Sequence, residues 1–439
     1  MNSPPVNPTY SPAPAGYKLA LVQGAFLSEC SFAVYLCTLA AFLTFSCVHC
    51  VVALIRHGDR LPIERCWAND HVWTCNLNIE ERSTSENASS VGVPRLHRKH
   101  YLNGEETFPG GCMAGQLTKY GYDQHLVNGA NLKSTYPSAF PASYSASSAY
   151  VRSTDIPRTL QSAQALLRGI APWSPAANNV TQFVDVYTVD ASKEWLYPNP
   201  GNCAKLGQYE TEAKASAAYQ SWVQSVLTPL VQAMSPFYGL PLASMPSPIN
   251  IFDCLGAHVC HKFPLPGGMP VALYDRMVAA MEWEYNYIYN FPDRAEYGRL
   301  AMGKLYYQIW MNFIGALHEP TNTEPQFKLF SAHDTSVMPF LNAIGAWDGK
   351  WAPYAALVQM ELWTSENGGQ PLVRWVYNRQ EMTLPGCSST FCSFNSFAAL
   401  VQPIILKDME TACQATQALA GQYARWQAPN LGVYTNDGW

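Results

Sequence analysis

The sequence predicts an α/β fold, with a mixed, mostly parallel central sheet, flanking helices and a smaller, mainly α-helical cap domain. Three observations lead there. Short apolar, β-rich runs stop abruptly at charged residues. At least one of them is followed by apolar residues at helical spacing. Two long helix-compatible stretches also sit together in mid-chain, apart from the strand-like runs. The 439 residues are 48% hydrophobic and 13% charged, enough apolar mass for a large core.

Taken in order, residues 3–15 are rich in Pro and Ser and read as unstructured. Residues 51–55 (Val-Val-Ala-Leu-Ile) have the pattern of a central strand buried on both faces. Tyr150-Val151 and residues 327–332 predict two more strands, and residues 156–169 a helix that ends in a glycine. Residues 83–100 are polar and interrupted, as in a loop insertion. Residues 210–234 and 273–317 are helix-compatible, and the Pro- and Gly-rich 235–270 between them reads as an irregular segment stapled by a disulfide. The cap is therefore expected at about 195–295.

A net charge of −5 provides no general field for nucleic acid or an anionic membrane, so any phosphate binding must come from a local arginine cluster. Thirteen cysteines without zinc-finger spacing point to disulfides in an oxidising compartment. The sequons at Asn87 and Asn179 agree with export, each weakly. No charged residue occurs from 30 to 55, and the apolar run 32–48 fits a signal-peptide core or a short membrane anchor. Cleavage near Ser46 is the favoured reading, which makes residues 1–46 a leader. An uncleaved signal anchor and a buried helix and strand are the alternatives.

The motif that carries chemistry is Arg56-His57-Gly58-Asp59-Arg60-Leu61-Pro62, directly after the first predicted strand. Strand ends in an open α/β sheet face the ligand crevice, so Arg56 and His57 are delivered there. Two arginines flanking an imidazole form a cationic cup for a phosphate dianion, and a neutral imidazole can attack phosphorus without first losing a proton. Five specified positions in this order arise by chance in roughly one chain in 10⁴. His333-Asp334, taken alone, is a weak signal that reads as a helix N-cap or a loop pair. The strand before it adds weight.

Arg-His-Gly-x-Arg-x-Pro after an N-terminal strand resembles the histidine acid phosphatase family, in branch 2 of the histidine phosphatase superfamily. Three further segments resemble it in the right order: Gln116 to His125 (QLTKYGYDQH), Val151 to Thr159 (VRSTDIPRT) and Leu329 to Thr335 (LFSAHDT). The resemblance implies a catalytic domain over 47–439 with His57 as nucleophile and Asp334 as general acid. Arg56, Arg60, Arg152 and His333 would be phosphate ligands, with no cofactor or metal. It implies hydrolysis of phosphate monoesters through a phosphohistidine. Turnover would be favoured at acid pH, because Asp334 must hold a proton beside a dianion. Relatives specialised for phytate, phosphoxylose glycans or lysophospholipids share these residues and stay open as alternatives. So does an inactive phosphate-binding protein on the same scaffold.

The region from Leu384 to Cys413 resembles that of lysosomal and prostatic acid phosphatases, which implies Cys387–Cys392 and Cys203–Cys413 disulfides. Cys254–Cys260 and Cys75–Cys112 are further expected pairs, with Cys47, Cys50 and Cys66 unassigned. Cys254, His258, Cys260 and His261 mix zinc-ligand types within eight residues, though not at a standard zinc spacing. His97 and His100, among Arg95, Arg98 and Lys99, could hold an anionic substrate tail but read first as a solvated loop. The expected partner is a small phosphate monoester, not nucleic acid, in a secreted or lumenal, lysosome-like location. A homodimer and an N-terminal membrane anchor stay open.

Overall fold

The computed structural model describes residues 17–18, 47–65, 67, 71–75, 107–140, 149–170, 185–318, 327–365 and 369–414. Its strands are β1 (Tyr17–Lys18), β2 (Cys47–Arg56), β3 (Thr107–Phe108), β4 (Cys112–Met113), β5 (Ala149–Ser153), β6 (Val186–Tyr187), β7 (Phe327–Ala332), β8 (Leu357–Ser365), β9 (Leu372–Tyr377), β10 (Gln380–Met382) and β11 (Phe391–Ser393). The main sheet runs in the order β10-β9-β8-β2-β7-β5-β6, with β1 on β8 and β11 on β9. β2, β7, β5 and β6 are parallel, and β8 to β10 continue the sheet antiparallel. The mixed sheet with a parallel centre is the one expected.

The helices are α1 (Lys119–Thr135), α2 (Pro157–Ile170), α3 (Ala204–Ala215), α4 (Ala217–Trp222), α5 (Thr228–Tyr238), α6 (Pro248–Cys260), α7 (Val271–Tyr289), α8 (Arg294–His318), α9 (Asp334–Ala343), α10 (Phe394–Val401) and α11 (Met409–Ala412). The alternation along β2 shows how they cover the sheet. Val51, Ala53 and Ile55 pack with Leu132 of α1 and Leu166 and Leu167 of α2. Cys50, Val52 and Leu54 pack with Leu300, Leu305 and Phe313 of α8 and Val337 and Phe340 of α9. Both faces are buried, so the strand reads as an unbroken apolar run.

β2 starts at Cys47, not Val51, because its antiparallel ladder with β8 reaches Thr364. Residues 32–46 of the apolar run lie outside the described residues, as do both sequons and the 83–100 segment. No helix among the described residues is long and apolar enough to cross a membrane.

The cap helices have a core of their own, with Trp222, Leu230 and Met234 packed against Ile251, Leu255, Met277 and Met281. The 210–234 stretch breaks at Ser216, whose hydroxyl accepts the Tyr219 N–H and starts a new helix. The 273–317 stretch breaks before Arg294, at Pro292, which has no N–H to continue a helix.

Residues 235–270 correct the expectation of an irregular segment, because they contain α6. Ser247 caps it by accepting from Asn250 N, and Pro248 occupies its first turn. That helix also rules out the expected Cys254–Cys260 disulfide. Six helical residues rise about 9 Å and turn well past a full circle, beyond the reach of one S–S bond. Cys260 is free, and Cys254 is disulfide-bonded elsewhere. Cys75–Cys112, Cys203–Cys413 and Cys387–Cys392 are present as expected.

Candidate active site

The parallel register gathers the site at one sheet edge. Arg56 lies opposite Ala332 and Ser153 opposite Ser331, so β2, β5 and β7 end side by side. The chain continues in step past those ends, His57 N donating to Ala332 O at 2.9 Å and Thr154 N to Ser331 O at 3.1 Å. The first turn of α1 then locks the loop after His57. A Cβ on Gly58 would lie 2.2 Å from Gly121 O, and one on Gly121 would lie 2.1 Å from Asp59 O, so both positions require glycine. Gln124 Oε1 accepts from Asp59 N at 2.9 Å, and His125 Nε2 donates to Arg56 O at 3.0 Å. These contacts tie Gly121, Gln124 and His125 of α1 to the loop after β2.

His57 is buried, and its Nδ1 lies 2.9 Å from Gly58 O. A carbonyl only accepts, so Nδ1 carries the proton and Nε2 keeps its lone pair. Burial first, and then the charges of Arg158, Arg56 and Arg60, hold the ring well below the usual histidine range, so it is neutral.

The guanidinium groups of Arg56 and Arg60 are each held by a carboxylate. Arg56 donates to Ala352 O, pairs with Asp334 Oδ2 at 2.8 Å and lies 4.2 Å over the Tyr354 ring. Arg60 pairs with Asp253 of α6 through both terminal nitrogens, at 2.7 and 3.2 Å. Arg158, in the first turn of α2, pairs with no carboxylate among the described residues. Burial and the charge of Arg60 lower its pKa, an electrostatic cost that a bound anion would relieve. The Nε atoms of Arg56, Arg60 and Arg158 are all buried and without a hydrogen-bond partner.

Arg152 departs from expectation. Its side chain is 2% exposed, donates from Nη2 to both oxygens of Glu194 at 2.7 and 2.8 Å, and donates from Nη1 to Ser153 O. Glu194 also accepts from the backbone of Trp195 and Leu196. The guanidinium is occupied by this buried cluster, and the arginine charges that act most strongly on His57 and His333 are those of Arg158, Arg56 and Arg60. The residue missed was Arg158, visible in the same segment six positions later.

His333 and Asp334 open α9. His333 Nε2 is 3.1 Å from Thr154 Oγ1, and its ring meets that of His57 edge-on at 5.6 Å. Burial and the charges of Arg158, Arg60 and Arg56 keep it neutral as well. Asp334 Oδ2 accepts from Trp351 Nε1 at 3.1 Å besides pairing with Arg56, and Oδ1 accepts from Thr335 N at 2.7 Å. His57, Asp334, Arg56, Arg60 and His333 are thus brought together, and Arg152 is not.

The zinc reading of α6 finds no support among the described residues. Cys254 is disulfide-bonded, His258 Nδ1 bonds Cys254 O at 2.8 Å, and His261 Nε2 meets Asp59 Oδ2. No group of three or more potential metal ligands occurs there. His97 and His100 lie outside the described residues.

A buried, neutral nucleophile among three cations with unpartnered N–H groups, with a carboxyl beside them, can bind a tetrahedral oxyanion and accept its central atom. The comparisons with known proteins agree. Residues 47–378 match the model of the histidine phosphatase superfamily, branch 2. The chain is 31% identical over 373 residues to counting factor 60 of Dictyostelium discoideum, covering 83% of this chain and 87% of that protein. It is also 31% identical over 377 residues to the lysosomal acid phosphatase of Bos taurus, covering 83% and 79%. Among solved structures, Hafnia alvei phytase in complex with tartrate is similar in fold, with a TM-score of 0.56 at 13% identity over 84% of this chain and 98% of that one.

Proposed function

The chain belongs to the histidine phosphatase superfamily, branch 2, and on that premise we propose that it is an acid phosphatase that hydrolyses phosphate monoesters through a phosphohistidine on His57. The substrate phosphoryl group sits among Arg56, Arg60, Arg158 and His333, with Arg158 in the place first expected of Arg152. His57 Nε2 attacks phosphorus in line. The P–O ester bond breaks as the P–N bond forms, and the departing alkoxide takes the proton of Asp334. Water then attacks the phosphohistidine with Asp334 as base, the P–N bond breaks, and phosphate leaves. Three guanidinium groups stabilise the charge on the equatorial oxygens throughout.

One observation carries this reading: a histidine whose Nδ1 proton is held by its neighbour's carbonyl, so that its free nitrogen is unprotonated among three cations. The arriving dianion competes with Asp334 for Arg56. The disulfides Cys75–Cys112, Cys203–Cys413 and Cys387–Cys392 support an oxidising, secreted or lumenal site of action.

The test is hydrolysis of an aryl phosphate at acid pH, followed by a panel of natural esters that includes inositol hexakisphosphate. His57→Ala is expected to abolish turnover and to lose the phosphoenzyme trapped by rapid alkaline denaturation, while the thermal midpoint stays close to that of the parent. Near-normal turnover by that variant would refute the assignment.

A further inference from the structure

Helix α6 runs along the loop that follows His57. Asn250 donates to Glu64 Oε2, Asp253 accepts from Arg60 and from Ile63 N at 2.8 Å, the disulfide-bonded Cys254 Sγ lies 3.2 Å from Glu64 O, and His261 meets Asp59. These residues recur at helical spacing, one stripe of the cap laid on residues 59–64. Among the contacts of that stripe with described residues, the one to a proposed phosphate ligand is that of Asp253, and the pair is buried, with side-chain exposures of 5% for Arg60 and 13% for Asp253.

The donor count of Arg60 gives this contact a consequence. Nη1 donates to Leu61 O at 2.9 Å and to Asp253 Oδ2 at 3.2 Å, and Nη2 donates to Asp253 Oδ1 at 2.7 Å. Of five guanidinium hydrogens, the Nε–H and one on Nη2 remain, and they form the side-on fork of the group. The Nε is buried without a partner. Asp253 therefore occupies the end-on fork and leaves the side-on fork for a ligand.

We propose that Asp253 is a positioning residue of the cap that presents the side-on fork of Arg60 to the phosphoryl group, and that its negative charge keeps the cup from holding product phosphate too tightly. The proposal rests on the phosphatase reading above. The two effects have opposite signs in a variant that loses the charge, and this separates them from a merely structural contact. With Asp253→Asn, Arg60 loses its bidentate anchor and transition-state stabilisation falls. An anion in the cup meanwhile feels one less negative neighbour.

The experiment compares Asp253→Asn in the parent and in an Arg60→Ala background, with kcat on an aryl phosphate, inorganic phosphate binding by calorimetry, and thermal midpoints. We expect kcat to fall about 10- to 100-fold while phosphate binds several-fold tighter (about 3- to 10-fold). In the Arg60→Ala background the same change is expected to cost kcat less than about twofold, because its route is already removed. Asp253→Glu keeps the charge but overreaches. It is expected to lower kcat with phosphate affinity unchanged, and it serves if the Asn variant does not fold. Unchanged kcat, a parallel loss of kcat and phosphate affinity, or equal losses in both backgrounds would each overturn the proposal. A parent protein that neither binds phosphate nor turns over any ester would instead overturn the phosphatase reading itself.

Discussion

At the scale of single residues, Arg152 and Arg158 show why a motif does not reveal which of its arginines faces a ligand. Arg152 lies within β5, where side chains alternate between the two faces of the sheet, and its face offers Glu194. Arg158 lies in the first turn of α2, which starts at the sheet edge and returns over it. The two therefore predict opposite phenotypes. Arg152→Ala leaves Glu194 buried without its cation, so a stability loss of about 3–5 kcal/mol is expected from denaturant melts, with kcat/KM of the folded protein retained. Arg158→Ala removes a cation with no described carboxylate partner. A fall in kcat/KM of about 10²- to 10³-fold is expected, with the thermal midpoint unchanged or raised. If Arg152→Ala lost activity at full stability, the exchange of roles proposed here would be wrong.

At the scale of elements, the most informative contact is between the loop after β2 and the start of α1. Two sequence segments that looked like separate signatures are one interlocked unit, because Gly58 and Gly121 each fill space that a methyl group would take from the other's chain. In an open helix, replacing glycine by alanine stabilises by about 1 kcal/mol. Gly121→Ala is expected to do the reverse, costing about 1–3 kcal/mol in a urea melt and lowering kcat, since the Asp59 backbone must move. A stabilised variant would show that the approach is looser than described. Among the elements that sequence reading lost is α6, which reads as irregular. Its Ser247-Pro248 start is a helix signal, but the prolines and glycines around it carried the opposite one, and with the helix went the Asp253 contact.

For the molecule as a whole, the site imposes a dependence of stability on pH. His125 is buried, donates to Arg56 O, and is pushed down by burial to about 4, while His57 and His333 lie well below the usual histidine value. The unfolded chain binds protons at these positions near pH 6.5 and the folded protein does not. Stability is thus fully present above that pH and falls as pH drops, and for His125 the fall levels off once the folded ring also titrates, near 4. His125 alone accounts for roughly 3 kcal/mol across that window. The urea midpoint is expected to fall between pH 7 and 4. His125→Gln, which keeps a donor for the Arg56 carbonyl but cannot titrate, should lose part of the slope. A flat or rising midpoint in the parent would contradict this account.

From its order of residues alone, the chain discloses the α/β class, the strands that lead to His57 and His333, and the kind of chemistry to look for, while the Cys203–Cys413 and Cys387–Cys392 disulfides are implied by its resemblance to lysosomal and prostatic acid phosphatases. Periodicity, turn residues and motif spacing are local properties, and a strand that ends at a reactive side chain is local too. Tertiary structure alone decided the partners: Glu194 for Arg152, Asp253 for Arg60, Asp334 for Arg56, and none for Arg158 among the described residues. Whether a buried charge is neutralised or left to await an anion depends on side chains as far as 278 positions apart along the chain, as with Arg56 and Asp334, brought within 3 Å by sheet register and helix packing. No local pattern encodes that distance.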